Sequence, residues 1–151
     1  MNNIISLLTL FLSSTVFASA NDNWHYHPDG MPISPVMFKK DSSGIAYASI
    51  GRRNGNILFL LVKESSYRCP KKKLDYKNIP ANGYPISWIG SCHNTNGDLI
   101  KSKSFIFPSN NEDLKAVFSI FMNSNEVDIG GIKYSAKGFN TIAKDYFNLG
   151  G

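Results

Sequence analysis

The feature that most constrains this chain is an Asn54-Gly55 dipeptide set between two β-prone runs. Asn-Gly accepts the positive φ values of a type I′ turn, so the chain reverses there with little strain. The first run, Ile45 to Ile50, places Ile45, Tyr47 and Ser49 on one face and Ala46, Ala48 and Ile50 on the other. The second, Ile57 to Val62, is apolar throughout, the pattern of a central strand covered on both faces. The expectation is a sheet formed around this hairpin.

Met1 to Ala20 carries no charged side chain, has an apolar centre from Ile4 to Phe17, and ends in Ala18-Ser19-Ala20. That is the small-x-small pattern that signal peptidase accepts. The apolar centre is shorter than the roughly twenty residues that span a bilayer. No Cys follows the cleavage site, so no lipid anchor is expected. The reading is a signal peptide over 1–20 and a single exported domain over 21–151, periplasmic or secreted, with no membrane span after cleavage. The net charge of +5 lies in the mature part. It favours anionic envelope polymers, lipid headgroups or an acidic protein as partner, and nucleic acid is not expected.

Cys69 and Cys92 are the two cysteines. In an oxidising compartment such a pair forms a disulfide, and closing a loop of this length stabilises the fold by roughly 3 kcal/mol. The Cys-x-x-Cys spacing of redox catalysis is absent, and His93 beside Cys92 does not complete a zinc site. His25 and His27 would share one face of an extended strand, where copper or zinc could use both. No third ligand follows at a recognisable spacing, so no metal site is expected.

The cations concentrate in two places. Arg52 and Arg53 stand at the tip of the organising hairpin. Arg68, Lys71, Lys72, Lys73 and Lys77 crowd the stretch Lys63 to Lys77, with Tyr67 and Tyr76 interleaved. If the disulfide pins Cys69, this basic loop is held against the body of the protein, and together with the Arg52-Arg53 tip it is expected to present one contact surface to an anionic partner. Ile79 to Pro85, with its prolines and Asn82-Gly83, reads as a continuation of the loop.

Ile86 to Cys92 reads as a strand with Ile86, Trp88 and Gly90 on one face, paired through a turn at Asn96-Gly97 with a run from Leu99 to Phe107. Lys101 and Lys103 alternate with serines in that run, so its first half is expected at a sheet edge. Ser109 and Glu112 match a capping box, followed by Leu114, Val117, Phe118 and Phe121 at helical spacing and a stop at Asn123. Val127-Asp128-Ile129 and Ile132-Lys133-Tyr134 form two short strands, or one bulged strand, around Gly130-Gly131. A last helix carries Phe139, Ile142, Ala143 and Tyr146 on one face and ends at Gly150-Gly151. The fold class is therefore mainly β, a sandwich-like antiparallel sheet with two C-terminal helices. The alternative is α+β.

No Gly-x-Ser-x-Gly elbow or phosphate-cradling glycine loop occurs, and the acids sit beside turns, Lys or Asn. Neither catalysis nor a cofactor is expected. The order of elements, together with Ser135-Ala136-Lys137-Gly138-Phe139 at the start of the last helix, resembles small exported proteins of the invasion-associated locus B type. The long basic loop after Cys69 and the wide cysteine spacing depart from that pattern. The resemblance implies a non-enzymatic, sandwich-like envelope or secreted protein acting in host or envelope interaction, and it supplies no catalytic residues. The function expected is a binding or accessory protein. The alternative is a periplasmic immunity or inhibitor protein that blocks a toxin or cell-wall hydrolase.

Overall fold

The computed structural model describes residues 22–38 and 43–148. The segment read as a signal peptide, residues 39–42 of a polar turn, and Gly150-Gly151 lie outside them. Ten strands alternate with tight turns: β1 (His25–Tyr26), β2 (Pro32–Ile33), β3 (Met37–Phe38), β4 (Gly44–Arg53), β5 (Asn56–Ser65), β6 (Lys73–Ala81), β7 (Tyr84–Asn94), β8 (Ser102–Pro108), β9 (Glu126–Ile129) and β10 (Ile132–Ser135). Helix α1 (Asn111–Met122) follows β8, and α2 (Phe139–Asn148) follows β10. The class is mainly β with two helices near the C-terminus, as expected.

All the strands belong to one antiparallel sheet, curled into a half-barrel, in the order β1-β2-β4-β5-β8-β7-β6-β9-β10, with β3 also pairing β4. The helices, not a second sheet, supply the other layer: α1 packs on β5, β7 and β8. The organising hairpin forms as predicted. Asn54 and Gly55 take φ of 52° and 78°, and β4 and β5 pair from Gly44↔Ser65 to Arg53↔Asn56. Ala46, Ala48 and Ile50 face the core, and β5 is a central strand with Phe59 and Leu61 on the inner face.

The core is aromatic where the helices cover the sheet. Trp24 lies 4.7 Å from Phe139 between ring centroids, and Phe59 lies 4.8 Å from Phe121. Trp24 also meets Phe121 edge-on at 5.9 Å. Such offset and edge contacts add about 0.5–1.5 kcal/mol per pair beyond area burial. The Trp24 indole donates to Ser135 O at 2.8 Å, and its backbone N–H donates to Lys137 O at 2.9 Å. The Ser135-to-Phe139 segment thus receives the N-terminal arm around Trp24.

Four local expectations are corrected. The N-cap of α1 is Asn110, not Ser109; its side chain accepts from Asp113 N at 2.8 Å, which leaves Ser109 outside the helix. Most of the Ile79-to-Pro85 stretch is not loop. Lys73–Ala81 and Tyr84–Asn94 form a hairpin turned by Asn82 and Gly83, both at positive φ, with Pro80 facing Pro85 in the register. Pro80 is tolerated because β6 has no outer partner until Ala81 meets Ile129, and Pro85 because β7 pairs with β8 only from Trp88 onward. Finally, β8 is interior, between β5 and β7. Its Lys103 is accommodated by an ion pair with Glu64 at 2.9 Å on the outer face, not by an edge position. The connection from β7 to β8 is also longer than a two-residue Asn96-Gly97 turn, running from Thr95 to Lys101.

Two substitutions test this packing by urea denaturation. Trp24→Ala removes the ring that joins the chain's two ends and is expected to cost about 3–5 kcal/mol. At Gly90 a Cβ would sit 2.1 Å from Phe105 O of the neighbouring strand. Gly90→Ala is therefore expected to lower stability by about 2 kcal/mol through forced strand separation.

Candidate functional site

The basic residues divide between the two ends of the sheet. Because β4 and β5 each run ten residues, the Asn54-Gly55 tip lies about 30 Å from the end where Gly44 pairs with Ser65. Arg52 and Arg53 are at the tip, whereas Arg68, Lys71, Lys72 and Lys73 follow Ser65 at the other end. Lys77 lies further along β6. The structure does not bring the two groups into one patch.

Arg52 serves the fold. Its Nη2 donates to Phe147 O at 2.8 Å, and its guanidinium carbon lies 5.9 Å from the Tyr146 ring and 6.0 Å from the Phe147 ring. A cation on the last carbonyls of α2 satisfies an orphan acceptor and opposes the negative helix end. Arg53 is exposed.

The segment between β5 and β6 is fixed to the sheet at several points. The Cys69–Cys92 disulfide is formed, with Cα atoms 5.8 Å apart. Cys69 N–H donates to Asn94 Oδ1 at 2.8 Å, Ser102 Oγ donates to Tyr67 O at 2.6 Å, and Cys92 N–H donates to Lys72 O at 2.8 Å. Arg68, Lys71, Lys72 and Lys73 are all exposed on this anchored stretch. Among the described residues, none of the four, nor Lys77, has a carboxylate within ion-pair distance. The loop is therefore a preorganised cationic surface.

The histidines do not converge. The His25 ring lies 3.2 Å from Asn23 O, and His27 pairs with Asp29 at 3.0 Å. Asp29 is held below the ordinary carboxylate value first by the Met31 N–H it accepts, then by His27. Among the described residues, no three His, Cys, Asp or Glu side chains gather as metal ligands. His93 Nε2 lies 2.9 Å from Ser91 Oγ, a contact set by their i, i+2 placement on the outer face of β7.

Sequence reasoning missed a slot of about 180 Å³ on the inner face, lined by Leu61, Lys63, Tyr76, Ile79, Trp88, Ile106, Ile129 and Gly130. One signal was available. Inner-face alternation along β5 runs Phe59, Leu61, Lys63, which turns a lysine inward.

Tyr26 ties the N-terminal arm to α2 by donating to Asp145 Oδ2 at 2.7 Å. Its phenol is pushed up to about 12, first by partial desolvation and then by Asp145. A folded-state value above the ordinary 10 means that the native state keeps this proton longer than the unfolded chain. The associated stability is complete below pH 10 and is lost as pH rises towards 12. Tyr26→Phe is expected to be less stable near neutrality and to flatten part of the alkaline loss, read as urea midpoint against pH.

No helix among the described residues is long and apolar enough to cross a membrane, and the disulfide is consistent with an oxidising location outside the cytoplasm. No family model, curated protein or solved structure matches the chain.

Proposed function

We propose that this chain is an exported, non-enzymatic binding protein of a bacterial envelope, and that it meets an anionic partner with the end of the sheet that carries Arg68, Lys71, Lys72 and Lys73. The observation that carries this reading is the anchoring of that loop by the disulfide and by hydrogen bonds from Cys69, Ser102 and Cys92. Cations on a tethered surface lose less conformational freedom on binding than cations on a free tail, so more of the electrostatic attraction survives as affinity. Exposure keeps each ammonium solvated in the free protein, so no buried charge has to be compensated before the partner arrives. The likeness to proteins of the invasion-associated locus B type belongs to this proposal. It rests on element order and on the Ser135-to-Phe139 segment.

The test is retention of the oxidised protein on an immobilised anionic envelope polysaccharide across a salt series. Affinity is expected to fall steeply with salt, since exposed charges are screened within about 10 Å at 0.1 M ionic strength. Charge reversal at Lys71, Lys72 and Lys73 is expected to weaken binding by about tenfold or more. Arg53→Glu at the opposite end is expected to leave it nearly unchanged. Reducing the Cys69–Cys92 bond keeps every charge but frees the loop, so it should weaken binding less than charge reversal does. Retention unaffected by the triple reversal would exclude this surface.

A further inference from the structure

We infer that the inner-face slot is a binding site for a small monoanion with an apolar body, such as an aryl carboxylate, with the anion held by Lys63. This site is separate from the cationic loop. The floor is apolar and sealed: Leu61, Trp88, Ile106 and Ile129 are each at most 4% exposed. Of the other lining residues, Tyr76 and Gly130 are exposed and Lys63 is half-buried, so the slot opens to solvent on their side. A cavity of about 150 Å³ lined by aliphatic side chains accepts a benzene ring, so the 180 Å³ here fits a single ring with a short arm. An ammonium has three N–H donors, so Lys63 can take a carboxylate oxygen in addition to its contacts within the protein. A charged donor at the mouth of an apolar slot is the pattern of a site that orients an amphipathic ligand.

The wall is built by an irregularity that the sheet does not otherwise need. The β6–β7 register shifts between Tyr76 and Ile79, with Asn78 at φ 57°. The Trp88 indole donates to Ile79 O at 3.1 Å and holds the bulged strand in place. The bulge thus brings Tyr76 and Ile79 to the same slot. Across it, Gly130 approaches Ile79 so closely that an added Cβ would lie 3.1 Å from Ile79 Cγ2. Bulges that re-aim side chains in this way are over-represented beside functional sites.

The probe is 3-phenylpropionate, followed in the intact oxidised protein by the indole N–H resonances of Trp88 and Trp24. A saturable shift of the Trp88 signal is expected, with Trp24, packed in the aromatic core, largely unmoved. The neutral 3-phenylpropanamide is expected to bind about tenfold more weakly, because it forfeits the charge-assisted contact. Lys63→Met should weaken the acid by a similar factor and abolish the preference over the amide. Absence of a saturable Trp88 shift at about 10 mM acid, an affinity below any specific use of the site, would overturn the proposal. Equal affinity for acid and amide in the native protein would overturn the assignment of Lys63, and that comparison requires no variant to fold.

Discussion

The fold depends on the docking of Trp24. Its ring enters a cluster with Phe59, Phe121 and Phe139, while its indole and backbone N–H groups donate to Ser135 O and Lys137 O. The two donors matter as much as the ring. An indole buried without a partner would lose about 1–3 kcal/mol of desolvation, which would cancel much of what its area contributes. The surrounding contacts reinforce the same junction: Lys137 pairs with Asp22 at 3.5 Å, Ser135 Oγ donates to Asp22 O, and Tyr26 reaches Asp145. These link residues more than a hundred positions apart. The entropy of closing such a loop is recovered only when the C-terminal hairpin and α2 are in place. The N-terminal arm therefore acts as a latch on a sheet whose strands pair largely between neighbours.

How much of this was legible in the sequence follows from the range of the interactions. Type I′ turns are local chemistry, so Asn54-Gly55 located a hairpin correctly. Helix α1 was equally plain from Leu114, Val117, Phe118 and Phe121, although the cap fell one residue later, because Asn is as good a cap as Ser and Asn110 takes the Asp113 N–H. The misreadings arose where one local pattern has two causes. Prolines and Asn-Gly between Ile79 and Pro85 look like a loop, but they also suit a hairpin whose first strand is mostly an edge. Lysines alternating with serines in β8 look like an edge, but an opposed Glu64 makes an interior strand acceptable. The basic residues themselves could be read directly. Their division between opposite ends required only the length of the hairpin, whereas the slot depended on a bulge in β6 and on the curl of the sheet, neither of which leaves a period in the sequence.

The inner face of the half-barrel grades from aromatic to polar within a few rows of the ladder, and this gradient explains why stability and binding chemistry separate. The row containing Ile50 and Phe59 lies under the helices. The next row carries Ala48, Leu61, Ile106 and Gly90, and the one after it carries Ala46, Lys63, Ser104 and Cys92. The last row holds Ser65, Ser102 and Asn94. The helix aromatics Phe118, Phe121 and Phe139 pack on Phe59, in the first of these rows. Where hydrophobic cover runs out, the chain substitutes a covalent cross-link at Cys69–Cys92, which stabilises mainly by restricting the unfolded chain and needs little apolar area. A disulfide leaves the neighbouring surface free to be charged, which a packed helix would not. The cationic loop and Lys63 both fall in this region, so charges can be displayed there without opening the aromatic core that Trp24 closes.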